Sequence, residues 1–213
     1  MEVLEQYVRE DYDNYEVPGI QSFELDSRTF QSVSDTESPR GILAICGIPH
    51  DPHIEFDATD WVLVADEVAD PGNLGTLIRS AEAAGVTAVV LCGSTVDPWS
   101  PKVVRASAGA VFHVPIVQDT SLVETGARGV KLFATTSHES IGSQLPISIY
   151  EADLTGCVGV VVGNEAHGIS ENAPVHQWVT IPHVGRAESL NVAMAGTVAL
   201  MHVARHRSQG EGK

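Results

Sequence analysis

Three short stretches carry side chains whose types and spacing suit chemistry on a bound ligand. The first is Asp70-Pro71-Gly72-Asn73-Leu74-Gly75, with Arg79 one helical turn further on. The second, Gly163-Asn164-Glu165-Ala166-His167-Gly168, sets an amide and a carboxylate between glycines. The third runs Ile181-Pro182-His183-Val184-Gly185-Arg186-Ala187-Glu188-Ser189-Leu190-Asn191. Glycine lets a ligand come close to the backbone, and the guanidinium of Arg79 presents five donors in a fork that suits a phosphate. No metal site is expected, because the nine histidines include no pair at ligand spacing beside a cysteine or carboxylate cluster.

Each stretch also has a plainer reading. Asp70 or Asn73 beside Pro71 is an ordinary helix-start signal, and a helix arginine is by default solvated. A tight turn explains the glycines around Asn164, though it needs neither the amide nor the carboxylate. Ser189 suits the N-cap of the helix that follows, and Asn191 is then not required for the cap.

The elements that must position these residues begin at Trp61. Apolar strand candidates at 61–65, 87–92, 111–116, 130–135, 157–162 and 177–181 alternate with helical stretches. That alternation predicts an α/β domain with a largely parallel, buried sheet flanked by helices. A helix is expected from Leu74 to Ala84, with Leu74, Leu77, Ile78 and Ala81 as its apolar stripe and Gly85 at C′. Asn73, Thr76, Arg79 and Ser80 fall near its polar side. A last helix is expected from Ser189 to His206, rich enough in Ala, Gly and Val to approach another backbone closely. Strands 157–162 and 177–181 run straight into the second and third stretches, and strand ends are where parallel α/β sheets bind ligands.

Upstream, residues 1–40 read as acidic and irregular, Gly41–Cys46 as a strand, and Ile48–Asp60 as a linker broken by Pro49 and Pro52. The expected division is an accessory segment over 1–58 and the main domain over 59–213, ending in a polar tail from Ser208. No run of eighteen apolar residues argues for a membrane span. The acidic start Met1–Glu5 argues against a signal peptide. Cys46, Cys92 and Cys157 lie far apart, which fits free thiols in a reducing cytoplasm.

Taken in order and spacing, the three stretches resemble the SpoU (TrmH) family of RNA methyltransferases within the SPOUT class. The family's motifs run from an asparagine to an arginine, then Gly-Asn-Glu-x-x-Gly, then Ile-Pro followed by Ser-Leu-Asn. Pro101-Lys102-Val103-Val104-Arg105-Ala106-Ser107-Ala108-Gly109-Ala110 resembles the family's middle segment, so the likeness covers about residues 60–206. It is fainter over 25–47, where Ser34–Gly41 resembles the end of a substrate-recruiting module that is short by the family pattern.

The resemblance implies a C-terminal trefoil knot, a homodimer, and S-adenosyl-L-methionine as cofactor, held by Thr135, Gly163, Ile181, Ser189 and Leu190 largely through backbone groups. It implies that Asn73, Arg79, Glu165, Ser189 and Asn191 ring the transferred methyl, which passes to a ribose 2′-hydroxyl of RNA. The family also casts the counterpart of Arg79 as the base. A guanidinium is so weak an acid that its neutralisation at pH 7 would cost on the order of 8 kcal/mol. We therefore expect Arg79 to clamp the neighbouring phosphate, with the proton leaving to a phosphate oxygen or water. Glu165 is expected to position Asn73 or Arg79 rather than to act as base.

Charge pulls the other way. Net charge is −16, whereas nucleic-acid binders usually carry a basic footprint. The excess is uneven: residues 1–60 hold 14 acids against Arg9, Arg28 and Arg40, a balance of −11, which leaves −5 for residues 61–213. Ribosomal RNA is favoured over transfer RNA as substrate, by analogy with members that carry a recruiting module. A transfer-RNA enzyme, a SPOUT enzyme acting on a base or a protein, and a non-catalytic RNA-binding relative are the alternatives. A dinucleotide enzyme would need Gly-x-Gly-x-x-Gly after the first strand, which this sequence lacks.

Overall fold

The computed structural model describes residues 2–12, 17–49 and 54–210. The chain divides into two units, residues 1–50 and 51–213.

In the first unit, β1 (Val3–Arg9) lies between β2 (Gln21–Leu25) and β3 (Ile42–Cys46), parallel to the former and antiparallel to the latter. Helix α1 (Ser27–Val33) starts at Asp26, whose carboxylate accepts the backbone N–H groups of Arg28 and Thr29. Phe30 is fully buried, and Tyr7 stacks on Phe23 at 5.3 Å. The expectation of an irregular 1–40 is thus corrected. Its strands are half-exposed and mix charged with apolar residues, so pairing rather than an apolar run defines them. From Gly47 to Asp60 the described residues form no helix or strand, and Pro52 lies outside the described residues.

The second unit contains, in chain order, β4 (Trp61–Asp66), α2 (Pro71–Ala84), β5 (Ala88–Cys92), α3 (Pro101–Ala106), β6 (Ile116–Thr120), α4 (Leu122–Ala127), β7 (Lys131–Thr135), β8 (Ile147–Ser148), β9 (Val158–Val162), β10 (Gln177–Thr180) and α5 (Val192–Gly210). The strands form one sheet, ordered β6-β5-β4-β9-β7-β10-β8, with every pairing parallel. Both faces are covered, which is why β5 and β9 are apolar and buried throughout. Trp61, Leu63 and Ala65 of β4 pack with Leu74, Leu77 and Ile78 of α2 and with Leu200 and Val203 of α5. Val62 and Val64 face the other way, toward Leu122 and Trp178. No helix among the described residues is long and apolar enough to cross a membrane.

Helix α2 opens at Pro71, three residues before the expected Leu74, because the Asp70 carboxylate caps it by accepting the Asn73 N–H at 2.8 Å. At Gly75 it presses on the end of α3. A Cβ there would meet that of Ala106 at 2.4 Å and the Ser107 nitrogen at 2.8 Å, so only glycine permits this approach. The strand expected at 111–116 is instead a 3-10 turn, Ala110–Phe112, with β6 following at Ile116. Ala110 and Val111 bury their side chains in the core that α2 shares with one face of the sheet, and their backbone turns instead of pairing as a strand. Helix α5 packs along α2, with the Ser80 and Thr197 hydroxyls 2.7 Å apart. Its end is tied down by the Arg207 guanidinium, which donates to the carbonyls of Gly156, at 3.0 Å, and Thr59.

Candidate active site

Strands β4 and β9 are neighbours, with Ala65 opposite Val162, so the loops leaving their carboxyl ends run side by side. Hydrogen bonds stitch the two loops together. The Asn164 amide donates to the Glu67 carbonyl at 2.9 Å, and its oxygen accepts the Ala166 N–H at 2.8 Å. The Glu165 carboxylate accepts the backbone N–H groups of Ala69 (3.2 Å) and Asp70 (3.1 Å) and the Asn73 amide (3.0 Å). Asn73 in turn accepts the Asn191 amide at 3.1 Å. One polar chain therefore joins the three motifs.

Asn191 also corrects an expectation. Its side-chain oxygen accepts the N–H groups of Ala193 (2.9 Å) and Met194 (3.3 Å), so Asn191, not Ser189, caps the last helix, which begins at Val192. Ser189 is left in the loop, exposed, at the rim of a cavity.

The ionisation of Glu165 follows from its partners. Burial pushes its pKa up, but the Asn73 amide and the backbone N–H groups around it outweigh that and hold it below the usual carboxylate range. Glu165 is thus charged at neutral pH, with its oxygens already engaged by donors. That makes it a brace between loops and a poor proton acceptor.

Beside this chain, at the carboxyl ends of β7, β9 and β10, lies a cavity of about 990 Å³. Thr135, Gly163, Ile181, Ser189 and Leu190 all line it, as do Glu165 and Asn191. The volume is at the upper end for a small-molecule site. Trp178, Ile169 and Ile181 offer apolar wall for a flat ring, while the backbones of 163–168 and 181–190 offer polar groups. A Cβ on Gly163 would meet the Gly168 carbonyl carbon at 2.6 Å and the Ile169 nitrogen at 2.7 Å, so the loop can close on itself only over glycine. These features fit a nucleoside-bearing cofactor such as S-adenosylmethionine.

Arg79 is not among the lining residues. It is exposed on α2, and among the described residues no hydrogen bond or ion pair engages it. Six positions from Asn73 amount to about 240° around a helix, so the two side chains leave α2 in different directions. The structure of one chain brings Asn73, Glu165 and Asn191 into hydrogen-bond contact. It places Ser189, Thr135, Gly163, Ile181 and Leu190 around the cavity and leaves Arg79 outside.

Two contacts at unassigned motif positions escaped the sequence reading. His167 pairs with Glu67 at 3.2 Å. His183 staples its own loop, its ring nitrogens lying 3.1 Å from the Ile181 carbonyl and 2.9 Å from that of Ala187. Only the imidazolium can donate to both, and the Ile181 and Ala187 carbonyls raise the pKa of His183 against a smaller opposing effect of burial. The staple is therefore complete below the ordinary histidine range and is lost as pH rises through the raised value. We expect affinity for S-adenosylhomocysteine, measured by calorimetry, to fall several-fold between about pH 6 and pH 9. His183→Gln should bind weakly with no such slope; a wild-type affinity flat across that range would show that the staple does not shape the cavity.

Fold and cavity together define the class, a parallel α/β protein that takes its ligand at the strand ends. The chain belongs to the SpoU rRNA methylase family, whose model matches residues 60–201. It is 36% identical over 192 residues to the 23S rRNA (guanosine(2553)-2'-O)-methyltransferase of Bacillus subtilis (strain 168), a match that spans 87% of this chain and 73% of that protein. It is similar in structure to the SpoU methyltransferase AviRb from Streptomyces viridochromogenes, solved with AdoMet, at a TM-score of 0.82 and 25% identity over 98% of this chain and 84% of that one. The AdoMet-bound rRNA methyltransferase from Sinorhizobium meliloti gives a TM-score of 0.82 and 26% identity over 96% and 80%.

Proposed function

We propose that this chain transfers the methyl group of S-adenosylmethionine to a ribose 2′-hydroxyl of structured RNA, ribosomal rather than transfer RNA. The observation that carries the reading is the hydrogen-bonded chain Glu165–Asn73–Asn191 at the rim of the nucleoside-sized cavity. When bound, the cofactor supplies an electrophilic methyl on a sulfonium. A 2′-hydroxyl held in line with that methyl would take it as the carbon–sulfur bond broke, its proton leaving to a phosphate oxygen or water. Thr135, Gly163, Ile181 and Leu190, which line the cavity, would hold the nucleoside, and Ser189 and Asn191 would align the 2′-hydroxyl. Much of the acceleration comes from this alignment, which removes the entropy of encounter.

Two features support a homodimer. Arg79, the cation of the first motif, leaves α2 away from its own cavity, so a second copy is the natural source of the phosphate clamp. Met194, Val198 and Met201, 59%, 39% and 42% exposed, form an apolar stripe at helical spacing on α5. We further propose the trefoil knot for the segment that ends in α5, a recruiting role for the N-terminal unit, and a cytoplasmic setting in which Cys46, Cys92 and Cys157 stay reduced.

The test is transfer of labelled methyl from S-adenosylmethionine to ribosomal RNA taken from cells lacking the gene, with nuclease digestion to locate the label. Methyl on a 2′-oxygen is expected. Methyl on a base, or no transfer from a protein that binds the cofactor, would overturn the reading.

A further inference from the structure

Carboxylates are spread through this chain, 28 in 213 residues, yet none occurs between Asp97 and Asp119. That segment holds α3 and the 3-10 turn after it. Lys102 and Arg105 are both exposed on α3, three positions apart and therefore neighbours on its surface. The turn beyond presents Phe112, 44% exposed, and the exposed His113. An aromatic ring of that size left in water, in a segment that carries cations and no carboxylate, calls for a partner.

The segment is also placed next to the candidate active-site machinery. Helix α2 packs on both α3 and the turn, with Gly75 seated against Ala106 and Ser107. Arg79 follows Gly75 by one turn on the same side of α2, so it emerges beside the end of α3. Lys102, Arg105 and Arg79 are thus successive cations on one edge of a molecule whose net charge is −16.

We propose that this edge, formed by Lys102, Arg105, Phe112 and His113 with Arg79 at its head, carries the RNA strand flanking the target ribose. The inference rests on the methyltransferase reading and adds the path of the substrate. If Arg79 holds the phosphate next to the reacting ribose, the following phosphates need the next cations along, and an unpaired base can stack on Phe112. Screening confines such charges to about 8 Å at physiological salt. Against the acidic remainder the edge grips RNA on contact and does little to steer it from afar.

The experiment measures binding of the full-length protein to ribosomal RNA from cells lacking the gene, over a series of salt concentrations. Lys102→Ala should make the slope of log affinity against log salt shallower by about 0.7–0.9, the loss of one phosphate contact. Lys102→Glu should make it shallower still. Phe112→Ala should leave the slope alone and weaken binding at least about fivefold. S-adenosylhomocysteine affinity should stay at its wild-type value in all three, which keeps misfolding apart from lost contact. Unchanged slopes in both Lys102 variants would overturn the proposal. So would lost affinity that coincides with a change in oligomeric state, since the edge would then be a protein contact. RNA binding with the expected slopes but no methyl transfer would sink the methyltransferase reading and leave the RNA surface standing.

Discussion

Replacing Arg79 by alanine is expected to lower kcat for RNA methylation by about 10²- to 10³-fold, the loss typical when one preorganised donor to a developing oxyanion is removed. Cofactor affinity should be untouched, because Arg79 does not line the cavity. The side chain leaves α2 on a different side from Asn73, so the proposed dimer makes a sharper claim. A mixed dimer of one Arg79→Ala chain and one Asn73→Ala chain should regain one working site, although each homodimer is nearly inactive. Failure of that complementation would put Arg79 at its own chain's site and sink the shared-site dimer, whereas an undiminished kcat in Arg79→Ala would place it outside the reaction. Arg79→Lys separates clamp from base. A lysine that kept full rate and moved the basic limb of the pH–rate profile downward would establish a base, and the phosphate clamp would fall.

Glu165→Ala should also cost about 10²-fold in kcat, for a different reason. The carboxylate accepts three donors from the loop and helix start that carry Asn73. Its removal strands those donors and frees Asn73 to swing, at a stability cost of about 1–3 kcal/mol. Glu165→Gln should be little better, since its amide nitrogen faces N–H groups. Because Glu165 is held below the usual carboxylate range, its contribution is present at neutral pH and is lost only as pH falls through that low value. It should therefore give no limb to the pH–rate profile near neutral pH. A limb in the kcat pH profile that disappears in Glu165→Ala would show that Glu165 moves the proton, against the bracing role.

Much of this arrangement could be read from the residues. Strands β4, β5, β7, β9 and β10 lie within a residue or two of the apolar runs that announced them, because strands covered on both faces must be apolar along their length. The run at 111–116 had the same look and a different fate. Ala110 and Val111 found their apolar partners in the core shared with α2, so the chain turned there and joined the sheet at Ile116. Strands β1 and β2 gave no such signal, being half-exposed and rich in polar residues. The cap at Asn191 was missed because serine is an equally good cap by type. The choice was made by Asn73, which takes the Asn191 amide and fixes where the helix can begin. Hydrogen bonds spanning about a hundred positions leave no local trace in the sequence. The direction of Arg79 does leave one, since six residues along a helix can be converted to an angle without coordinates.

The place of β9 in the sheet has a consequence for how the molecule comes to exist. It is among the last strands in the chain, yet it sits between β4 and β7, both made earlier. Until it slots in, the loop bearing Glu165 has nothing to brace and the strand ends around the cavity cannot be spaced. Contacts this distant along the chain are slow to find. A ribosome that has released only the first 150 residues has therefore made Asn73 and Arg79 but neither Glu165 nor Asn191, and the site cannot be assembled. Recovery of methyl transfer on refolding should trail the recovery of helix.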